Sequence, residues 1–334
     1  MSGTVVAGMT RRERIEAAFR GAEVDHLPVT FWNHFPGKDH SAELLAPATV
    51  EFAHRFDLDL VRVVPTGMYS VTDYGMVTRL ADDDTGSTEL VSGPIHGPGD
   101  WRHLPRISPH RGALGEQVRT VGLVRAALGP DTPVIQTIFS PFSMAIKLAG
   151  GTLGPEILDA GESIHDGLNR MAEDAIAFSL ACLDNGADGI FFLAMHAHAG
   201  INRAAYSEFG VPYDQAVLEA VRSRAWGVVA HFHGVQPYFD LANRYPLDAI
   251  SWEDRETSPS LREALSLTDR CLVGGIGRME PLVKGTPAAI RAQVRDVIAQ
   301  TDGRRVIVAP GCTLPHGVPD ENLDALVAAV HRED

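Results

Sequence analysis

The segment VVAHFHG places two imidazoles, His231 and His233, at positions i and i+2 of an apolar, β-favouring run. Successive side chains of a strand point to opposite faces, so these two share one face and can offer two nitrogens to a single ion. Near the C-terminus, APGCT supplies Cys312, which completes an N2S set. Three protein ligands with a fourth position open is the arrangement of a catalytic zinc, and mixed imidazole and thiolate donors suit Zn2+ better than Mg2+ or Ca2+. The same H-x-H also reads as two histidines that hydrogen-bond a polar substrate. A second H-x-H, His196 and His198, has the same geometry, so spacing does not decide which pair holds an ion and which lines a pocket. Glu253 and Asp254 in WEDR have several open roles: further ligand, acceptor that orients an imidazole N–H, general base, or ion pair with Arg255. Cys182, on an apolar helical face, and Cys271, at the start of a strand, read as packed thiols.

These residues need a scaffold that brings distant segments to one end. Short apolar runs recur at Pro28–Phe31, Leu58–Val64, Val134–Phe139, Gly189–Ala194, Val228–Phe232, Ala249–Trp252, Cys271–Gly275 and Val306–Ala309. Between most of them lie helical patterns, including Ile164–Leu183, Tyr213–Arg224, Pro259–Leu267 and Pro287–Gln300. Strands that are apolar throughout and alternate with helices predict a parallel sheet covered by helices, and eight of them predict an α/β fold closed as a single (β/α)8 TIM barrel. A doubly wound open sheet is the competing architecture, but no G-x-G-x-x-G follows the first run. A short amphipathic helix over about 9–22 opens the chain, and the Asp-, Gly- and Pro-punctuated stretch over about 70–105 predicts a β-hairpin inserted after the second strand. The simplest account is one domain over 1–334. In such a barrel function sits where strands end, and His34, Phe139, His196, His198, His231, His233, Glu253 and Cys312 all stand at or just beyond those ends.

Composition narrows the partners. The chain has 334 residues, 45% hydrophobic and 22% charged, with 29 Lys and Arg against 43 Asp and Glu for a net charge of −14. A surface of that sign repels a phosphate backbone, so nucleic acid is not expected as a partner. No apolar run reaches the length a membrane span needs, and the N-terminus lacks the order of a secretory signal, so neither membrane nor secretion is expected and the reading is cytoplasmic. Three widely spaced cysteines make no disulfide framework.

In combination, MTRRERIEAAFRGAEVDHLPV, FWNHFP, FDLDLVRVVPTGMYSVTDYG, TIFSPFSMAIKLAGG, NGADGIFF, VVAHFHG, YPLDAISWEDR, VGGI and APGCTLPHGVPDENLDALVAAV cover nearly the whole chain. Their order resembles the uroporphyrinogen decarboxylase superfamily, which includes the methylcobamide:coenzyme M methyltransferases and is distantly similar to cobalamin-independent methionine synthase. The resemblance implies a TIM barrel. The methyltransferase branch implies zinc held by an H-x-C strand end and a later Gly-Cys cysteine, positions that fall here on His231, His233 in place of the first cysteine, and Cys312. The decarboxylase branch implies an Arg-x-x-x-Arg pair after the first strand and an acid after the second. The matching loop FWNHFPGK contains no Arg, and Asp73 corresponds to the acid.

The expected site therefore has zinc on His231, His233 and Cys312. Glu253, Asp73 and His198 are its expected catalytic groups, and His34, Tyr69, Phe139 and His196 are expected to meet the substrate. The expected activity is methyl or alkyl transfer to a thiol on a small-molecule substrate, with a corrinoid methyl donor and a corrinoid protein as candidate cofactor and partner. Metal-free decarboxylation of an acidic substrate, or a non-catalytic tetrapyrrole- or corrinoid-binding barrel, are the alternatives. The oligomeric state is open.

Overall fold

The structure, a computed structural model, describes residues 8–80, 88–151 and 154–331. Seven strands form one parallel sheet: β1 Val61–Val63, β4 Val134–Phe139, β5 Gly189–Ala194, β6 Gly227–Phe232, β7 Ala249–Ser251, β8 Cys271–Ile276 and β9 Val306–Pro310, paired in that order. Between β1 and β4, an antiparallel hairpin of β2 Val77–Leu80 and β3 Thr88–Ser92 stands outside the sheet, and its connecting residues 81–87 lie outside the described set. Every residue of the seven parallel strands is buried. Helices cover the outer face and side chains fill the inside, which is why these runs are apolar without alternation. The predicted helices appear as Glu162–Asp184, Val211–Arg222, Leu261–Leu267 and Pro287–Thr301.

The eighth predicted strand, Pro28–Phe31, is a single bridge from Val29 to Val308 of β9. Pro28 has no N–H to extend a ladder, and the Val29 amide donates to the Asp59 carboxylate at 2.8 Å. The segment still closes the barrel. Val308 donates to the Pro28 carbonyl and Thr30 to the Val308 carbonyl, while on the other side Asp59 donates to the Val29 carbonyl and the Thr30 hydroxyl to Leu60. Leu58–Leu60, expected to belong to the second strand, serve this closure, and the ladder begins only at Val61.

Helix Arg11–Arg20 plugs the N-terminal end of the barrel. Thr10 and Glu13 form a reciprocal capping box at its start, and Gly21 ends it in the left-handed conformation. From this helix Arg14 reaches Asp25 at 2.7 Å and pairs with Asp59, which is 1% exposed.

Candidate metal centre at the barrel mouth

Inward-facing residues alternate along each strand, and at the C-terminal end they come in pairs two apart: Arg62 and Val64 on and after β1, Thr137 and Phe139 on β4, Leu193 and Met195 on and after β5, His231 and His233 on and after β6. Together with His34, Lys147 and Cys312 they border a cavity of about 210 Å³. His231, His233 and Cys312 converge there, with one ligand atom from each lying within 4.8 Å of the other two.

Each ligand is held from behind. The β6–β7 register sets His231 directly opposite Ser251, and its Nδ1 lies 3.2 Å from the Ser251 hydroxyl. Its Nε2 is buried and has no hydrogen-bond partner. An imidazole fixed through one nitrogen with the other bare inside protein has the pose of a metal ligand, because an unpaired buried polar atom otherwise costs about 1–3 kcal/mol. His233 Nδ1 faces the Glu253 carboxylate at 3.5 Å, and Glu253 is in turn tied to Arg278 at 3.1 Å. Arg278 also donates to the carbonyl of Thr313, next to Cys312, so one guanidinium fastens the cysteine loop to the carboxylate behind His233. Gly311 permits this convergence: a Cβ there would sit 2.7 Å from the Glu253 Cα.

The electrostatics match the pose. Burial pushes the Cys312 thiol up, but His231, His233 and Arg278 outweigh it and hold the pKa well below its ordinary value. His233 is raised, chiefly by its hydrogen bond to Cys312 and against burial. The His34 imidazole is drawn down to about 4, by burial first and then by Arg62, so it is neutral near pH 7. Lys147 is only partly exposed, and the protein crowding its ammonium draws it down to about 7.

The structure brings His34, Phe139, His231, His233 and Cys312 to one cavity, and sets Glu253 behind a ligand instead of among the metal-facing atoms. His196 and His198 do not line it. Nδ1 of His196 meets the Ser143 hydroxyl at 3.1 Å, and Nδ1 of His198 accepts from the Gly200 amide at 3.0 Å. Tyr69 is buried with its hydroxyl donating to the Thr137 carbonyl, away from the cavity. Asp73 is elsewhere too, because its carboxylate accepts the amides of Ala113 and Leu114 at 3.0 and 3.2 Å and so caps the first turn of helix Gly112–Leu128. Asp254 accepts the Gly275 amide at 2.8 Å, and Arg255 reaches past it to Asp296 at 2.6 Å. Cys182 and Cys271 are buried, and burial raises both thiols. Sequence reasoning missed Arg62, Lys147, Ser251 and Arg278. Arg62 and Lys147 carried a signal, each being a lone cation in an apolar run, LVRVV and SMAIKLA.

A sequence profile described as uroporphyrinogen decarboxylase matches residues 10–333. The chain belongs to the uroporphyrinogen decarboxylase family. A methylcobamide:CoM methyltransferase of Methanosarcina mazei is 23% identical to this family member over 340 residues, covering 95% of this chain and 96% of the relative. A uroporphyrinogen decarboxylase of Prochlorococcus marinus is 23% identical over 245 residues, covering 70% and 67%. A solved methyltransferase structure from Methanosarcina mazei superposes with a TM-score of 0.83 at 21% identity over 97% of this chain and 99% of that one. A B12-independent methionine synthase from Shewanella gives a TM-score of 0.62 at 12% identity. These structures show that the barrel is shared. Among the described residues no helix is long and apolar enough to cross a membrane.

Proposed function

We propose that this family member is a zinc-dependent enzyme that transfers a methyl or other small alkyl group to a thiol. The observation that carries the reading is the bare, buried His231 Nε2 converging with His233 and Cys312. Relatives named as methylcobamide:CoM methyltransferases support it. His231 Nε2, His233 and the Cys312 thiolate would hold the ion at the wall of the cavity. Zn2+ bound there would act as a Lewis acid that lowers the pKa of an acceptor thiol.

The chain's own residues do the positioning. Ser251 and Glu253 fix the two imidazoles, and Arg278 neutralises Glu253 while it anchors the loop of Cys312. Phe139, Val64, Leu193 and Met195 give the cavity apolar walls, which exclude water from the sulfur. In the transfer the sulfur's electron pair forms the S–C bond, the donor–carbon bond breaks with its electrons staying on the donor, and the thiol proton passes to bulk water as the acceptor binds. We assign Glu253 to holding His233 and not to receiving that proton, since Arg278 already balances its charge.

Plasma emission spectrometry on protein purified without added metal tests the reading. About one zinc per chain is expected. A chain that carries none and takes up none at micromolar zinc overturns it and favours metal-free lyase chemistry.

A further inference from the structure

Asp214, on helix Val211–Arg222, is a fully buried carboxyl group that the chemistry above does not use. The hydroxyls of Tyr206 and Tyr245 both donate to its Oδ2, Tyr245 at 2.9 Å, and they also hydrogen-bond each other. Oδ1 is buried and has no partner. Among the described residues no cation faces the carboxyl from the elements packed around it. Helix Arg203–Phe209 brings Tyr206, and the chain leaving helix Leu241–Arg244 brings Tyr245. From helix Glu162–Asp184, His165 meets the neighbouring Tyr213 hydroxyl at 2.7 Å, and from helix Pro141–Leu148 Phe142 packs on Tyr206. Asp166 and Glu208 bear on Tyr213 and Arg244 on Tyr245, none of them on Asp214.

With Asp214 neutral, three hydroxyls can close a ring. The acid proton on Oδ2 goes to one phenol, that phenol donates to the other, and the second returns a hydrogen to Oδ2, leaving Oδ1 as a plain carbonyl. Ionised, the group shares its charge with Oδ1, where nothing donates to it. The positive end of its helix and the two phenols favour the anion, but burial without a counter-charge opposes it more strongly. Burial raises the carboxyl to about 7 against the pull of the two tyrosines.

Tyr206 and Tyr245 belong to the connections that follow β5 and β6, and these two connections pair with each other beyond the strand ends. The Ala199 amide donates to the Gln236 carbonyl at 3.1 Å, the Tyr238 amide to that of Ala197 at 2.8 Å, and the Tyr238 hydroxyl to that of Ile201. At the roots of this ribbon stand Met195 and His233, which border the cavity. We propose that Asp214, Tyr206 and Tyr245 form a proton-sensitive clasp beneath the ribbon. Loaded with a proton the clasp holds the ribbon down beside the cavity; emptied, it lets the ribbon lift so that water reaches Oδ1. A closed carboxyl keeps its proton to higher pH than an opened, solvated one, whose ordinary value is near 3.9. Opening therefore gains about tenfold per pH unit between about 4 and 7 and then levels off. This holds with or without a metal on His231, His233 and Cys312.

Amide exchange read by mass spectrometry from pH 5 to 8, each rate divided by the intrinsic rate at that pH, measures the opening. At equal zinc content, wild-type protection over 197–202 and 236–240 is expected to fall about tenfold per unit between pH 5 and 7 and to level off above. Asp214→Asn, which has no proton to lose, is expected to show a flat profile over the same segments. Tyr245→Phe keeps the carboxyl but removes one of the two donors to its charge, so the levelling should move above pH 7; this variant decides the matter if Asp214→Asn fails to fold. A slope that survives Asp214→Asn, a flat profile in the wild type, or a levelling point unmoved in Tyr245→Phe overturns the proposal.

Discussion

In the proposed metal set Cys312 is the one thiolate, so it would supply both the soft bond and the charge neutralisation. Cys312→Ser should strip zinc sharply and abolish transfer, and His231→Ala and His233→Ala should do likewise. His198→Ala, outside the cavity lining, should leave zinc in place; plasma emission spectrometry and circular dichroism on the four variants check this. The thiol's depressed pKa has a sign that can be read directly. A thiol held well below its ordinary value, near 8.5 for cysteine, keeps a larger thiolate fraction than a free thiol as pH falls. In metal-free protein the alkylation of Cys312 by iodoacetamide should therefore slow less as pH falls from 8.5 toward 6 than that of an ordinary thiol, which slows about tenfold per unit, and zinc should block it. Peptide mapping should find Cys182 and Cys271 unmodified. Glu253→Gln keeps the shape but removes the charge behind His233, and should weaken zinc about 10- to 100-fold without unfolding the chain, with occupancy recovered at high zinc.

At the scale of elements, the site depends on how closely the ends of β7 and β9 approach. Gly311→Ala pushes a Cβ against the Glu253 backbone, which cannot rotate away as a side chain would. A cost of about 1–3 kcal/mol in stability is expected, with weaker zinc binding because Cys312 moves with it; a denaturant melt and a zinc competition titration read the two effects. Parallel strands buried on both faces leave continuous apolar runs, so six of the eight could be placed from sequence to within a residue at each end, while Leu58–Val64 began three residues ahead of its ladder. Pro28–Phe31 has the same composition, and only the Asp59 carboxylate, some thirty residues on, takes the amide its ladder would need. The i, i+2 histidines showed because strand periodicity is local. Arg62 did not, because one cation in LVRVV is uninterpretable until Trp32 and Phe191 close around it. Asp73 matches a family position, yet its amide partners lie on a helix forty residues later, which no local pattern encodes. Arg278 gains its role only when three strand ends meet.

For the molecule as a whole, size and charge bound what it can take. A cavity of about 210 Å³ in a chain of net charge −14, with an Arg-free FWNHFPGK loop, suits no tetra-acid macrocycle. Absorbance titration with uroporphyrin-like tetra-acids should show no tight binding, and efficient turnover of uroporphyrinogen would contradict this. The closure through Val29 has a kinetic side. One bridge with a few flanking contacts is the thinnest join between staves, so native-state amide exchange should begin there, at Thr30 and Val308, well before it reaches the β5–β6 ladder. Cys312 leaves β9, which forms one lip of that seam, whereas His231 and His233 sit on the far side of the barrel. An ion held by both would tie β9 across the mouth to β6, and by mass action zinc should slow exchange along β9, at Val308 included.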